Sequence, residues 1–344
     1  APALIFTAVN HGSAAASGWG IPTATDIAFA VGILSILGDR VPVSLKVFLT
    51  ALAIADDLIA ILVVALFYGG TINFGLLAIA FVLIALVLLM NKLGEKRGWF
   101  YLVPAIAIWS LFYYAGIHST MSGVVMAFLV PMTPRFNEAY FHRKRLQYIR
   151  RLNEYNGIAS TSSEFPNGPQ RHCLRRLSAI SRDSIGMSYR LEHALGPWVN
   201  FLIMPIFALA NAGVEIPDVS YFNVFHFDQV LGSVSMGIFL GLVLGKPLGI
   251  SLASFIAVKL HVGEMPAKST WPMLIAVACL GGIGFTMSIF VDTLSFGDQT
   301  PEVMARLRDM GKVAVLMGSL FAGILGSVLI NIIHGIESRK SVKS

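Results

Sequence analysis

Two adjacent aspartates, Asp56 and Asp57, lie in the middle of an apolar stretch that runs from Val47 to Tyr68. A stretch of this length can cross a membrane, since about 20 apolar residues span the hydrocarbon layer. Each carboxylate at mid-bilayer costs roughly 2.5–3.5 kcal/mol on insertion scales. Folding does not require that cost, and carboxylates at such depth usually face a water-filled cavity. The pair therefore predicts a site that binds cations or protons.

A single lysine, Lys246, lies inside another apolar segment, GLVLGKPLGIS. Neighbouring residues on a helix point about 100° apart, so Asp56 and Asp57 are expected to have different partners. Lys246 is the natural counter-charge for one of them. The second aspartate then remains open, and its protonation competes with cation binding. The alternative is a purely structural buried ion pair, which leaves the second aspartate unexplained.

Two further segments predict helices that are interrupted within the membrane. In GWGIPTATDIAFAVG, Pro22 removes a backbone donor, Thr23 and Thr25 can satisfy freed groups, and Asp26 follows. The second segment, LGGIGFTMS, contains Gly281, Gly282, Gly284 and Thr286. Paired interrupted helices indicate a transporter site. Close packing through small residues is the alternative, chiefly for the glycine run. Three aspartates (26, 56 and 57) and Lys246 are expected to be the deep charges.

Composition places these segments in a polytopic all-α membrane protein. Hydrophobic residues make up 56% of the 344, charged residues 13%, and the mean hydropathy is +0.73. A soluble domain carries about twice that charged fraction. We expect one membrane domain in two parts, an apolar stub plus five spans within 1–132 and four spans within 197–333. A basic cytoplasmic loop is expected at 133–196 and a cytoplasmic tail at 334–344.

Loop charges predict the orientation. Alternate loops and the tail hold 21 of the 25 basic residues, which predicts that they are cytoplasmic. The segment between 133 and 197 has 11 basic and five acidic residues, and its positive charge is interpreted as an orientation signal rather than a nucleic-acid site. Its middle, 156–170, is interpreted as a flexible linker.

Four segments carry a resemblance to a known family. GWGIPTATDIAFAVGIL, LKVFLTALAIADDLIAILVVALFY, GLVLGKPLGIS and GGIGFTMSIF, in this order, closely resemble the NhaA-type sodium/proton antiporters. GIHSTMSGV and PWVNFLIMPIFALANAGV between them also match. The resemblance implies an inverted-repeat fold in which two broken helices, 21–37 and about 271–294, cross near the membrane midplane.

The resemblance also implies roles for the deep residues. It makes Asp57 the principal sodium ligand and Asp56 its neighbour, alternately bound to the cation or paired with Lys246. Thr25 is implied as an extra oxygen ligand. Asp26 then compensates the positive ends of the half-helices and Lys246 the negative ends. No cofactor is implied beyond the transported sodium or lithium ions and protons.

The activity implied is electrogenic, pH-regulated export of sodium or lithium in exchange for protons by alternating access. The implied location is a bacterial inner membrane, with the lipid bilayer as partner and a homodimer in the full-length parent. Arg190, Glu192 and His193 match a pH-sensing cluster, although Gly196 stands where the family pattern has a second histidine. The chain begins at Ala1 inside an apolar run, so we expect a truncated front end that lacks the family's first helices.

Three other classes of function were weighed. An intramembrane aspartyl protease needs two carboxylates that share a proton, usually from separate helices, and its GxGD signature is absent from the sequence. A channel, or a transporter of organic anions, is disfavoured by the deep carboxylates. An inactive membrane fragment remains open because the family's first helices are missing.

Overall fold

The computed structural model describes residues 1–68, 72–134, 136–158, 166, 168–211, 213, 232–297 and 299–341. These residues form helices and some of the connections between them, with no extended sheet among them. Two compact units are distinguished, one made of 1–69 with 203–344 and the other of 70–202. The expected all-α membrane fold is confirmed in the described part of the chain.

The first unit contains most of the segments singled out in the sequence. Its helices are α1 (Pro2–Val9), α2 (Ile27–Ile36), α3 (Val43–Phe67), α10 (Met204–Asn211), α11 (Val234–Leu240), α12 (Lys246–Lys259), α13 (Trp271–Leu280), α14 (Phe285–Ser295) and α15 (Pro301–Ser341). A 3-10 segment, Ala14–Thr23, precedes α2, and a π-helical segment, Gly241–Gly245, joins α11 to α12. α15 has 41 residues, so most of the segment expected to be a tail is helical.

Both predicted interruptions are present in this unit. The segment Ala14–Thr23 and α2 meet at 42°, and α13 and α14 meet at 51°. The first of these elements ends at Thr23, one residue after Pro22, and Ala24 is extended. The proline ring lacks an N–H and so removes one backbone hydrogen bond from the last turn. Gly282 lies in the second break, where a Cβ would collide with the carbonyl oxygen of Leu242. Close backbone approach therefore requires glycine at this position.

The core of the first unit consists of two apolar clusters. One joins α1, α11 and α14 through Phe6, Ile238 and Ile289. The other joins α3, α13 and α15 through Leu49, Val277 and Ala322. These contacts hold the broken helices between the long elements α3 and α15.

The second unit contains α4 (Phe74–Lys92), α5 (Trp99–Ala115), α6 (Thr120–Leu129), α7 (Glu138–Ile158), α8 (Gly168–Asp183) and α9 (Met187–Trp198). Tyr101, Ile108 and Met126 lie in its core. α7 and α8 pack against each other within the segment predicted to be a basic loop. The linker expected at 156–170 lies largely outside the described residues.

Length and hydropathy make five of the described helices able to cross a membrane, or seven when each bent pair counts as one span. The five are Val43–Ala65, Phe74–Lys92, Met187–Asn211, Val234–Lys259 and Pro301–Arg339. Trp99–Ala115 and Thr120–Leu129 are shorter apolar helices. Large apolar side chains such as Ile59, Phe81 and Ile324 are exposed, as expected of helices that face lipid.

Candidate functional site

Asp26 connects the two broken helices. It is 1% exposed and caps the N-terminus of α2, where its Oδ1 accepts a hydrogen bond of 3.1 Å from the N–H of Phe29. Its Oδ2 accepts two more bonds from Thr286 at the start of α14, 3.0 Å from the N–H and 2.6 Å from the hydroxyl. One carboxylate therefore binds the positive N-terminal ends of both half-helices.

The backbones of the two breaks also meet directly. The N–H of Asp26 donates to the carbonyl oxygen of Ile283 at 2.6 Å. Ser319 on α15 completes the second break, since its Oγ accepts hydrogen bonds of 3.1 Å from the N–H groups of Gly284 and Phe285. The first N–H groups of a helix have no partner inside the helix, so these contacts satisfy donors that would otherwise be buried and unpaired.

Lys246 forms an ion pair with the first aspartate of α3. Its Nζ lies 2.5 Å from Oδ2 of Asp56 and donates to the hydroxyl of Thr25 at 2.7 Å. The Thr25 hydroxyl lies 2.8 Å from the same Asp56 oxygen and 3.0 Å from the carbonyl oxygen of Gly281, which it can donate to in turn. The Lys246 side chain is 4% exposed and that of Asp56 is 24% exposed. The positive charge thus lies near the C-terminal end of α13.

The local winding places Lys246 at this point. Pro247 cannot donate a backbone hydrogen bond, and the five residues before Lys246 are wound as a π-helix. Single π-helical turns inside longer helices often occur at functional sites. The ring of Pro22 packs closely against this segment at Gly241, where an added Cβ would collide with the ring. The hydroxyl of Thr23 donates a hydrogen bond of 2.6 Å to the carbonyl oxygen of Gly20 within its own segment.

Asp57 is the open carboxylate of the pair. It is half-buried, and its Oδ1 is shielded from solvent without a hydrogen-bond partner among the described residues. Asp26, Asp56 and Lys246 all act on it electrostatically. Because Asp56 is bound to Lys246, the two adjacent carboxylates do not form the shared-proton dyad of an aspartyl protease.

The residues expected to sense pH belong to the second unit. The guanidinium of Arg190 on α9 lies 3.6 Å from Asp183 and donates to the carbonyl oxygen of Arg182 at 3.3 Å. Glu192 is exposed. His193 is also exposed, and its ring packs 4.1 Å from that of Tyr189. Their role stays a prediction.

One buried carboxylate lies outside the set named from the sequence. Besides the four residues named from the sequence, Asp292 on α14 is fully buried. Asp292 lies in an apolar segment, and a single carboxylate changes the mean hydropathy of such a segment little. Hydropathy therefore does not reveal it. Ser319 was missed as well, because a serine within a long helix gives no signal that it caps another helix.

Comparison with known proteins gives a family. The family described as Na+/H+ antiporter 1 matches residues 1–330, which include both breaks, α3 and Lys246. A protein named Na(+)/H(+) antiporter NhaA from Syntrophobacter fumaroxidans is 40% identical over 326 residues, 94% of this chain and 67% of the relative. One of the same name from Oleidesulfovibrio alaskensis is 40% identical over 341 residues, 99% of this chain and 73% of the relative. Another, from Acidithiobacillus ferrooxidans, is 41% identical over 326 residues, 95% and 72% respectively.

Proposed function

This chain belongs to the Na+/H+ antiporter 1 family, and from that premise we propose that it exports sodium or lithium ions at Asp57 in exchange for protons. The observation that carries the proposal is the unequal state of the two aspartates. Asp56 is paired with Lys246, whereas Asp57 Oδ1 has no hydrogen-bond partner among the described residues. An open carboxylate binds either a proton or a hard cation, and the cation requires the deprotonated form. Sodium and protons therefore compete for one group.

Asp56 and Thr25 complete the proposed cation site. When sodium binds Asp57, Asp56 turns from Lys246 to the ion, and the Thr25 hydroxyl, 2.8 Å from Asp56, supplies a further oxygen. Asp26 holds the half-helix N-termini and Lys246 the C-terminal ends throughout. This division of roles accounts for three deep carboxylates and one amine around the two breaks.

Counting charges gives the stoichiometry. In the proton-loaded state Asp57 carries a proton and Lys246 is an ammonium group paired with Asp56. When sodium binds both aspartates, Asp57 loses its proton. Lys246, which is 4% exposed and has then lost its partner, also becomes neutral because an unpaired buried ammonium is costly. Two protons leave for one sodium ion, so each cycle moves one net charge and responds to the membrane potential.

The remaining parts of the proposal follow from the family resemblance and the loop charges. The chain works by alternating access in a bacterial inner membrane, with its C-terminus in the cytoplasm and as a homodimer. Arg190, Glu192 and His193 on α9 are proposed to regulate exchange by pH, because they match the pH-sensing cluster implied by the family resemblance. The pH profile of exchange by His193→Gln measures that role, and an unchanged profile excludes it.

Proteoliposomes with an acidic lumen and a trapped pH dye test the function. Addition of external sodium is expected to collapse the gradient in the wild-type chain and to have no effect with Asp57→Asn. Asp39→Asn is the matched control, because Asp39 is an exposed carboxylate in a connection outside the site. Retained exchange in Asp57→Asn excludes the ligand assignment. A folded wild-type chain that gives no response contradicts antiport by these 344 residues.

A further inference from the structure

Asp292 is a buried carboxylate that the site around Asp57 does not use. It is 0% exposed, and neither of its oxygens has a hydrogen-bond partner among the described residues. It lies on α14 six residues beyond Thr286, about 9 Å along the helix axis from the end that Asp26 binds. It therefore occupies the same broken helix as the ion site, nearer the connection to α15.

The helix opposite Asp292 is shaped around it. A Cβ at Gly311 on α15 would collide with the Asp292 carboxylate, so the absence of a side chain there permits the approach. Arg308 and Lys312 lie on the same helix within electrostatic range, as does Asp309, which opposes them. The ammonium of Lys312 is engaged elsewhere, 2.9 Å from the carbonyl oxygen of Gly213 and 4.0 Å from Asp309.

No direct ion pair to Asp292 is formed by these charges in the described part of the chain. Arg308 is only half-buried and its Nε has no hydrogen-bond partner there. The segment Ala14–Thr23 and α10 also pack against α14 and contain no titratable side chain. α3, the other neighbour, carries Lys46 in its first turn, Asp56 and Asp57 in its middle and Tyr68 at its end. Asp292 is thus surrounded by charges without being neutralised by contact.

A second unpartnered polar group lies on the same face of α14. Ser288 precedes Asp292 by four residues, so that the two side chains are neighbours along the helix. Ser288 is also fully buried, and its Oγ has no hydrogen-bond partner among the described residues. By contrast, Thr293 and Ser295 donate to carbonyl oxygens of their own helix. Ser288 and Asp292 therefore form a polar row inside an otherwise packed core.

We propose that Asp292 is a second proton-binding site of the transporter, placed between the helix break and the connection from α14 to α15. An ionised carboxylate in such surroundings is costly unless it is paired and hydrogen-bonded. A hard cation needs several oxygen ligands, whereas a proton needs one carboxylate oxygen. Ser288 offers one free hydroxyl beside the carboxylate, whereas Thr293 and Ser295 are already engaged, so too few oxygens are at hand for a cation and the ligand is the proton.

The role in transport rests on the proposed antiport activity, whereas the presence of the proton does not. Infrared titration of the purified protein follows the carbonyl stretch of a protonated carboxylic acid. Asp57 is proposed to bind a proton as well, so the band assigned to Asp292 is the part that differs between wild type and Asp292→Asn. Wild type is expected to show this part and to titrate it with pH, Asp292→Asn to lose it, and Asp39→Asn to keep it. Asp292→Glu keeps the carboxylic acid but moves it by one methylene group, so it is expected to shift the band. This variant replaces Asp292→Asn in the test if the latter does not fold.

Transport provides the second measurement. In the proteoliposome assay Asp292→Asn is expected to shift the pH profile of exchange, and Asp39→Asn to leave it unchanged. An infrared band unchanged by both Asp292 substitutions overturns the proton site whatever the transport result. A band lost with an unchanged pH profile overturns its part in transport. Failure of wild-type exchange with the band assigned to Asp292 contradicts the antiport function and leaves the proton site supported.

Discussion

Removing the charge of Asp26 is expected to destabilise the junction of the two broken helices. Asp26→Asn keeps the shape of the side chain but replaces one acceptor oxygen by an amide donor. The remaining oxygen can serve either the N–H of Phe29 or the two groups of Thr286, which lie on opposite sides of the carboxylate. One of the half-helix N-termini therefore faces a donor in place of an acceptor.

The structure sets the size of the effect. A hydrogen bond to a charged group contributes about 1.5–3 kcal/mol, and at least one is lost. A negative charge at a helix N-terminus adds about 0.3–1 kcal/mol, and up to about 2 kcal/mol where the site is partly buried. The expected loss in the free energy of unfolding is therefore roughly 2–5 kcal/mol.

A double-mutant cycle isolates one contact from this sum. Thr286→Val removes the hydroxyl that donates to Asp26 at 2.6 Å and leaves the backbone N–H in place. Unfolding free energies in mixed detergent micelles, followed by circular dichroism, give the coupling between the two substitutions. We expect about 1.5–3 kcal/mol, the value of one charge-assisted hydrogen bond.

Thr293→Val provides the matched pair. Thr293 is on the same helix, but its hydroxyl bonds the carbonyl oxygen of Phe290 at 2.7 Å rather than Asp26. Its coupling to Asp26→Asn is expected to stay within about 0.5 kcal/mol. Equal coupling for the two pairs would refute the argument that Asp26 holds the N-terminus of α14.

Two further predictions concern the charge on Lys246 and a histidine outside the spans. Lys246→Gln is expected to cost about 3 kcal/mol of stability by leaving Asp56 unpaired. It should also remove one transported proton, so exchange in potassium-loaded vesicles with valinomycin loses its response to the membrane potential; a retained response excludes proton release from Lys246. Burial lowers the pKa of His118 below 6.5, so its contribution to stability is complete above pH 6.5 and declines as the pH falls through the lower folded-state pKa. Thermal unfolding across this pH range should show a smaller decline for His118→Gln, and an equal decline contradicts the assignment.

The sequence predicted the breaks and their charges for identifiable reasons. A proline followed by two threonines, and three glycines within four residues, both weaken a regular helix within an apolar span, so both interruptions could be located. Deep charges are also few, which made Lys246 the natural partner of an aspartate. Helix periodicity placed Asp56 and Asp57 about 100° apart but did not select which one Lys246 meets. That choice depends on the rotation of α3 against α12, which is set by packing across the whole first unit.

Contacts that depend on tertiary structure alone were not predictable. Ser319 caps α14 from a position 34 residues further along the chain, and nothing in its neighbourhood indicates that role. The full length of α15 was not predictable either, because its apolar pattern covers only the middle of the helix, which continues into charged residues at both ends. In those turns helix propensity and exposed polar side chains sustain the helix without an apolar pattern.

The deep charges of the first unit fall into two groups: those that contacts within the protein satisfy and those that such contacts leave unsatisfied. Asp26 accepts three hydrogen bonds at two helix N-termini, and Asp56 and Lys246 neutralise each other. Asp57 and Asp292 retain carboxylate oxygens without a hydrogen-bond partner among the described residues. Because an unsatisfied buried charge is costly, each is expected to bind an ion from outside the protein. The compensated groups therefore maintain the crossing of the broken helices, and the uncompensated pair is where we expect sodium and protons to bind.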